Sequence, residues 1–277
     1  MIEAFAPAKI NLTLHVTGQR ADGYHLLDSL VVFVDVGDRL SVEPSPELTL
    51  DVTGPRAAGV PTDSRNLVLR AARLLDPEAG ARVSLEKMLP AAAGIGGGSS
   101  DAAAALRGLS ELWGKQLPDN PQYLGADIPV CLRARPTRMQ AIGEVLSDVP
   151  TLPEAWMVLT NPGVELATPD VFNRLTDKAQ SPMGSVPRFS SLSDFADWLR
   201  GTRNDLQRPA IEIAPVVGES IELIAIQDAC LISRMSGSGA TCWGLFADKK
   251  AADDAAAAIQ NLRPDWWTVA TKITPVN

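Results

Sequence analysis

The stretch Pro90–Leu106, PAAAGIGGGSSDAAAAL, decides how the rest of this chain is read. Gly94, Gly96, Gly97 and Gly98 crowd together, Ser99, Ser100 and Asp101 follow, and an alanine-rich helical pattern comes next. Glycine admits positive φ and leaves no Cβ between the backbone and a ligand. A flexible loop opening straight into a helix aims several free N–H groups, and the positive end of the helix dipole, at one place. That arrangement suits an anion, most often a phosphate. An isolated glycine run reads as a turn with a serine cap. Here an alternating segment with Val83 and Leu85 leads in, and Leu106, Leu109 and Trp113 follow at helical spacing, so the phosphate reading is preferred.

What the loop lacks narrows the kind. No lysine follows the glycines, as a Walker A loop would require. The dinucleotide fingerprint fails because Ser99 stands where its third glycine belongs. Neither the His-Arg-Asp nor the Asp-Phe-Gly string of protein kinases occurs. A loop remains that works with backbone amides and serine hydroxyls.

The 277 residues suffice for one large domain or two modest ones with an ample core. Hydrophobic content of 45%, charged content of 21% and mean hydropathy of +0.03 are those of a globular protein. A net charge of −8 and a pI near 4.9 argue against a nucleic-acid binder, which needs a basic face. Cys131, Cys230 and Cys242 form neither a disulfide framework nor a zinc pattern and read as reduced, buried thiols. The opening MIEAFAPAKINL lacks the basic start and apolar run of a signal peptide, and no stretch is apolar enough to span a bilayer. A cytoplasmic protein with no membrane partner is expected.

Residues 1–148 read as an α+β unit. Strands are expected at Ile10–Val16, Ser29–Val36, Leu40–Glu43 and Leu48–Val52, and a helix at Asn66–Asp76. The segment LSDVPTLPEA reads as a linker. Beyond it come a strand at Trp156–Thr160 and helices at Ser193–Arg200 and Asn204–Gln227. Paired strands at Cys230–Met235 and Thr241–Phe246, a helix at Lys249–Leu262 and a strand at Trp267–Ile273 complete the pattern. This alternation suggests a ferredoxin-like layer of helices on an antiparallel sheet over residues 149–277. The tract QSPMGSVPRFSS reads as a surface loop.

Separated segments resemble one family in order. APAKINLTLHVTGQRADGYHLLDSL resembles the first motif of the 4-diphosphocytidyl-2-C-methyl-D-erythritol kinases, a family of the GHMP kinase superfamily of small-molecule kinases. LPAAAGIGGGSSDAA is similar to the superfamily's ATP-binding motif, RMSGSGATCWGLF to its third motif, and LGADIPV to the segment with the catalytic aspartate. The resemblance implies a two-domain α+β GHMP kinase fold. Residues 1–148 would form an N-terminal, ribosomal-protein-S5-like, ATP-binding domain, and 149–277 a C-terminal ferredoxin-like domain on the substrate side. It also implies transfer of the ATP γ-phosphoryl group to the 2-hydroxyl of a cytidine-diphosphate-linked methylerythritol, in non-mevalonate isoprenoid synthesis. The alternatives are another GHMP kinase, of homoserine or mevalonate type, and a non-catalytic GHMP-fold ligand-binding protein. A monomer or weak homodimer acting on small molecules is expected.

The family assigns roles to particular residues. Asp127 would accept the proton of the substrate hydroxyl; by itself, an aspartate before Ile-Pro reads as a turn or cap residue. Lys9 sits in an apolar setting where a buried ammonium needs an anionic partner. The resemblance pairs it with Asp127, and both are catalytic candidates. Asn11, two positions along an extended strand, faces the same way and would join the substrate pocket. Tyr24 and His25 would embrace the cytosine, with Pro169 and Phe172 of TPDVF closing over it, while His15 reads as a plain strand residue. Pro90, Ala91, Ala92, Ala93, Gly94, Ile95, Gly96, Gly97, Gly98, Ser99 and Ser100 would cradle the ATP phosphates. Asn66, Leu67 and Lys87 match positions around the adenine, although Lys87 equally fits an exposed strand cation. Gly237, Ser238 and Gly239 would close on the substrate diphosphate; on their own they read as a tight hairpin. Magnesium is implied by ATP, and no carboxylate cluster names a protein ligand for it. The segment WGKQLPDNPQYLGAD is several residues shorter than the family's, by truncation or by residues missing near Asn120 and Pro121, and this bears on the placement of Asp127.

Overall fold

The computed structural model describes residues 1–91 and 93–274. The chain divides into two compact units that interleave in sequence. One comprises residues 1–9, 36–91 and 96–134, and the other residues 10–35, 92–95 and 135–277. The linear boundary expected at 148/149 and this division therefore follow different lines through the chain.

Two strands contribute to both units. These are β1 (Ile2–Asn11) and the twenty-residue β3 (His25–Pro44); between them lies β2 (His15–Gln19). A single strand over Ile10–Val16 is not found, because β1 ends at Asn11 and β2 starts at His15. The turn between them spends its backbone groups elsewhere: the Leu12 N–H donates to the Leu30 carbonyl and the Leu14 N–H to the Arg203 carbonyl. Ser29–Val36 and Leu40–Glu43, expected apart, merge within β3, since Gly37 continues the extended backbone between them.

In the first unit, the second part of β3 pairs antiparallel with β5 (Ala81–Glu86), and β4 (Thr49–Thr53) pairs parallel with β5. β5 alternates as RVSLE predicts, with Val83 and Leu85 inward and Arg82 and Glu86 outward. The core lies between this sheet and two helices, α1 (Leu67–Leu75) and α2 (Gly97–Trp113). α1 starts where Asn66 caps it and buries Val68, Ala71 and Ala72. Ala102 to Ala105 let α2 approach closely, and Leu106 and Leu109, fully buried, each contribute about 1.5–3 kcal/mol of burial. Gly114, at φ +64°, ends α2 in the left-handed conformation. A 3₁₀ turn at Pro121–Tyr123 leads to α3 (Ile128–Arg133), so the short connecting segment still builds a turn before Asp127.

In the second unit, the first part of β3 pairs with β2 and with β6 (Thr137–Ala141), which pairs with β7 (Val145–Asp148). Part of the expected linker is thus strand. The remaining strands are β8 (Trp156–Asn161), β9 (Ile232–Met235), β10 (Cys242–Phe246) and β11 (Trp267–Lys272), in the order β11-β8-β10-β9, antiparallel throughout. With α4 (Thr168–Asn173), α5 (Leu192–Arg200), α6 (Gln207–Ile213), α7 (Val216–Ala225) and α8 (Lys249–Leu262), this is the ferredoxin-like arrangement expected. The single helix expected over Asn204–Gln227 breaks into α6 and α7 at Ala214–Pro215, because proline has no N–H to continue a helix and disfavours helical backbone before it. Cys131 and Cys242 are buried free thiols, whereas Cys230 is only half-buried. Among the described residues no helix is long and apolar enough to cross a membrane.

Candidate active site

In the first unit, β1 carries Lys9 inward, 4% exposed. Its Nζ donates to Asp127 Oδ2 at 2.7 Å, across 118 positions of sequence. Asp127 immediately precedes α3, and its side chain remains about a third exposed, at 31%. A buried ammonium is thus paired with a carboxylate that keeps one side open to an incoming group. The Lys9 side chain runs past Gly96, where an added Cβ would stand 3.3 Å from the Lys9 Cβ.

Gly96 adopts φ +63° and opens α2 with no side-chain cap, which leaves the first-turn N–H groups of Gly97, Gly98 and Ser99 uncovered by any capping side chain. An added Cβ at Gly98 would meet nothing nearer than Leu67 Cδ1 at 3.7 Å, so Leu67 does border the loop. The Ser100 hydroxyl donates to the Pro7 carbonyl at 2.7 Å and is buried. Asn66 commits both ends of its amide locally, accepting from the Val68 N–H and donating to the Pro61 carbonyl. Pro90 is half-buried and Ala91 exposed, while Ala92 lies outside the described residues.

Lys87 is no exposed strand cation: it is 5% exposed and bound by two carboxylates. Its Nζ donates to Asp38 Oδ2 and, at 2.6 Å, to Asp101 Oδ2. Burial works against the ammonium, but the two acids outweigh it and hold its pKa above the ordinary lysine value. Burial pushes the Asp101 carboxyl up to about 7; Lys87 opposes that rise and the neighbouring Asp38 charge adds to it. Neither Asp38 nor Asp101 carries a site role in the sequence reading, although Asp101 lies inside the Pro90–Leu106 motif.

In the second unit, Ala93 and Gly94 pack on the turn between β9 and β10, and Ile95 beside them is buried. The Thr241 N–H donates to the Ala93 carbonyl at 3.1 Å, and the Ser236 hydroxyl to the Gly94 carbonyl at 3.0 Å. The approach is close enough that an added Cβ on Gly94 would stand 2.5 Å from the Ser236 carbonyl oxygen. Gly237 and Gly239, at φ +56° and +91°, shape the turn, and Ser238 shares a 2.8 Å hydrogen bond with Thr168. Asn11 is held from several sides. Its N–H donates to the Ser236 hydroxyl, its side-chain amide to Ser29, and its carbonyl accepts from the Trp243 indole. Its Oδ1 is buried and has no partner among the described residues.

His25 opens β3 and stacks on Phe172 of α4, with ring centroids 4.6 Å apart and planes at 21°. Burial, helped by the Lys178 charge, lowers the His25 pKa below its ordinary value, so the ring is neutral near pH 7. Pro169 lies in the first turn of the same helix. Tyr24, 61% exposed, does not join the stack; its backbone closes the Arg20–Tyr24 turn. His15 is a strand residue as expected, its ring held between the Ser181 carbonyl and the Arg203 N–H.

The family model "GHMP kinases N terminal domain" matches residues 66–131, and "GHMP kinases C terminal" matches residues 186–264. A 4-diphosphocytidyl-2-C-methyl-D-erythritol kinase of Cereibacter sphaeroides is 55% identical, over 96% of this chain and 97% of its own. The protein of that name from Dinoroseobacter shibae is 56% identical, over 98% and 94%. A crystal structure of 4-(cytidine 5'-diphospho)-2C-methyl-D-erythritol kinase matches with a TM-score of 0.77 at 32% identity, covering 99% of this chain and 100% of that one. Homoserine kinase from Cytophaga hutchinsonii matches with a TM-score of 0.67 over 99% and 94% of the two chains, but at 17% identity it shares the fold alone. These similarities run along the whole sequence and agree with the order of its motifs: the chain belongs to the 4-diphosphocytidyl-2-C-methyl-D-erythritol kinase family of the GHMP kinases.

Proposed function

We infer that this protein is a kinase that transfers the γ-phosphoryl group of ATP to the 2-hydroxyl of 4-diphosphocytidyl-2-C-methyl-D-erythritol, in the non-mevalonate (MEP) route to isoprenoid precursors. The observation that carries the reading is the 2.7 Å ion pair between buried Lys9 and part-exposed Asp127. Phosphoryl transfer asks little covalent chemistry of a protein; it asks for an oriented nucleophile, a proton acceptor and well-placed positive charge. Asp127 accepts the hydroxyl proton as the oxygen attacks, and Lys9 fixes the direction of that carboxylate.

Bound ATP, with Mg²⁺ as its counter-ion, supplies the phosphoryl group. No protein ligand is assigned to the magnesium. The uncapped start of α2 fits the phosphates, since Gly96 takes up a positive φ and the following N–H groups face no capping side chain. Leu67, beside Gly98, borders the adenine, with Asn66 and Lys87 shaping that wall from behind. On the substrate side, His25 and Phe172 offer aromatic faces to the cytosine, with Tyr24 and Pro169 around them. Asn11 borders the substrate pocket, and Gly237–Gly239 receive the diphosphate.

The functional division follows residues 1–148 for ATP and 149–277 for the substrate side, with Asn11, Tyr24 and His25 reaching the latter from the former. We place the protein in the cytoplasm as a monomer or weak homodimer, with no nucleic-acid partner given its net charge of −8. The test is an ADP-release assay against a panel of alcohols. Turnover with the cytidine-linked methylerythritol, and none with homoserine or mevalonate, is expected; turnover with either of the others alone overturns the reading.

A further inference from the structure

The phosphate loop is bracketed by charges that no step of the phosphoryl transfer uses. Lys87, Met88 and Leu89 lead directly into it at Pro90, and Asp101 directly follows its last residue, Ser100. Asp38, from β3, reaches the entering end three times. Its Oδ1 accepts the Met88 N–H at 2.6 Å and the Leu89 N–H at 2.9 Å, and its Oδ2 takes the Lys87 ammonium. The same ammonium donates to Asp101, one turn into α2, at 2.6 Å. All three side chains are buried, Asp38 completely.

Two carboxylates converge on one ammonium in the interior, one acid more than a balanced pair needs. Lys87 with Asp38 alone would be a balanced pair, so Asp101 is the member that needs explaining, and its Oδ1 has no partner among the described residues. What Asp101 adds is a tie from the entering strand to the departing helix. Lys87 Nζ also stands 3.8 Å from where a Cβ on Gly97 would lie, directly under the first residue of α2.

We propose that Asp38, Lys87 and Asp101 are the positioning residues of the phosphate loop, an ion cluster that locks the strand before it to the helix after it so that the α2 amides are held ready for ATP. The proposal rests on the ATP-phosphate reading of that loop. Lys87 also stands behind the adenine wall, whereas Asp38 and Asp101 act only through the backbone they fix.

Two variants and a control test this by steady-state kinetics, varying each substrate in turn, with a melting curve for each protein. Asp101→Ala keeps the Lys87–Asp38 pair and extends an existing alanine run, so it is expected to fold and to melt no lower than wild type. Its KM for ATP should rise at least about tenfold, within the range of about 100-fold that a misplacement of an ångström can cost. The KM for the cytidine substrate should stay within about twofold, because uniform binding of that substrate is untouched. Asp101→Asn, which offers Lys87 an oxygen of the same shape, should recover most of the lost ATP affinity. An unchanged KM for ATP in Asp101→Ala, or a parallel rise in both KM values with a lower melting temperature, overturns the proposal. Gly96→Val, run alongside, separates the two levels: if it leaves ATP affinity intact, the phosphate-loop reading itself fails, whereas an ATP defect there with none in Asp101→Ala removes only the ion-cluster role.

Discussion

At the scale of single residues, the structure separates groups that the sequence presents alike. Lys9 and Lys87 are both buried ammonium groups, yet Lys9 has one acid that is partly open and Lys87 has two that are sealed. Asp127→Asn should leave ATP binding intact, melt lower because buried Lys9 loses its anionic partner, and turn over about 10²–10⁴-fold more slowly, the usual weight of a general base. Equilibrium ATP titration with single-turnover rates checks this, and a variant turning over near the wild-type rate would remove Asp127 from the chemistry. His25→Ala should raise the KM for the cytidine substrate by an amount equivalent to about 1–3 kcal/mol of lost stacking. Its ATP affinity should hold, and Phe172→Ala should behave in parallel because the two rings form one stack. A His25→Ala protein that melts lower but keeps its substrate KM would mark the stack as packing only.

His15 gives a pH prediction of definite sign. Burial lowers its pKa below the ordinary 6.5, so the folded state binds fewer protons there than the unfolded chain. Its contribution to stability is thus present above that value and is lost as pH falls through about 6.5 toward the folded pKa. The structural reason is direct: Nε2 accepts the Arg203 N–H, and a protonated ring would turn a donor toward a donor. Against His15→Gln, the wild-type melting temperature should fall more steeply between pH 7 and pH 5. Parallel slopes would show that the ring protonates at no cost.

At the scale of elements, the glycine-rich stretch is not one structure with one purpose. Gly96 opens α2 in a left-handed conformation in the first unit, whereas Gly94 is packed against the Ser236–Gly239 turn in the second. Gly94→Ala should accordingly destabilise the fold by more than the roughly 1–3 kcal/mol of a strained backbone position, since its Cβ also meets the Ser236 and Gly239 carbonyl oxygens at 2.5 and 2.6 Å. Gly97→Ala, at helical φ with its nearest neighbour 3.8 Å away, should fold as wild type. Thermal melts of the pair check the contrast, and equal stability of the two variants would contradict it.

At the scale of the whole molecule, interleaving is the dominant fact. The second unit needs residues 10–35 as well as its C-terminal sequence. The buried Arg234 guanidinium, in β9, donates to the Leu12, Leu199 and Thr202 carbonyls, and Asn204 donates to the Met235 and Gly237 carbonyls. Burial lowers the Arg234 pKa to about 10, so it stays charged at neutral pH and depends on those acceptors. A fragment of residues 149–277 alone loses Leu12 and the Asn11–Ser236 bond, leaving a charge short of a partner. We expect it to lack a cooperative thermal transition by circular dichroism; a sharp, reversible melt of that fragment would show that the C-terminal sequence folds by itself.

What the sequence by itself determined is whatever depends on neighbours along the chain. The alternation of β5, the glycine-opened α2 and the succession of strands and helices along the C-terminal half follow from periodicity and from the φ freedom of glycine. The motifs carried the family for the same reason, being contiguous strings. Only the tertiary structure decided what is non-local. The Asp38–Lys87–Asp101 cluster, the stacking of His25 on Phe172, the β11-β8-β10-β9 order and the packing of Gly94 on the Ser236–Gly239 turn each join residues far apart in sequence. Periodicity reports which face of an element is apolar but not which element it meets. A buried charge announces that it needs a partner, and only the fold supplies which one.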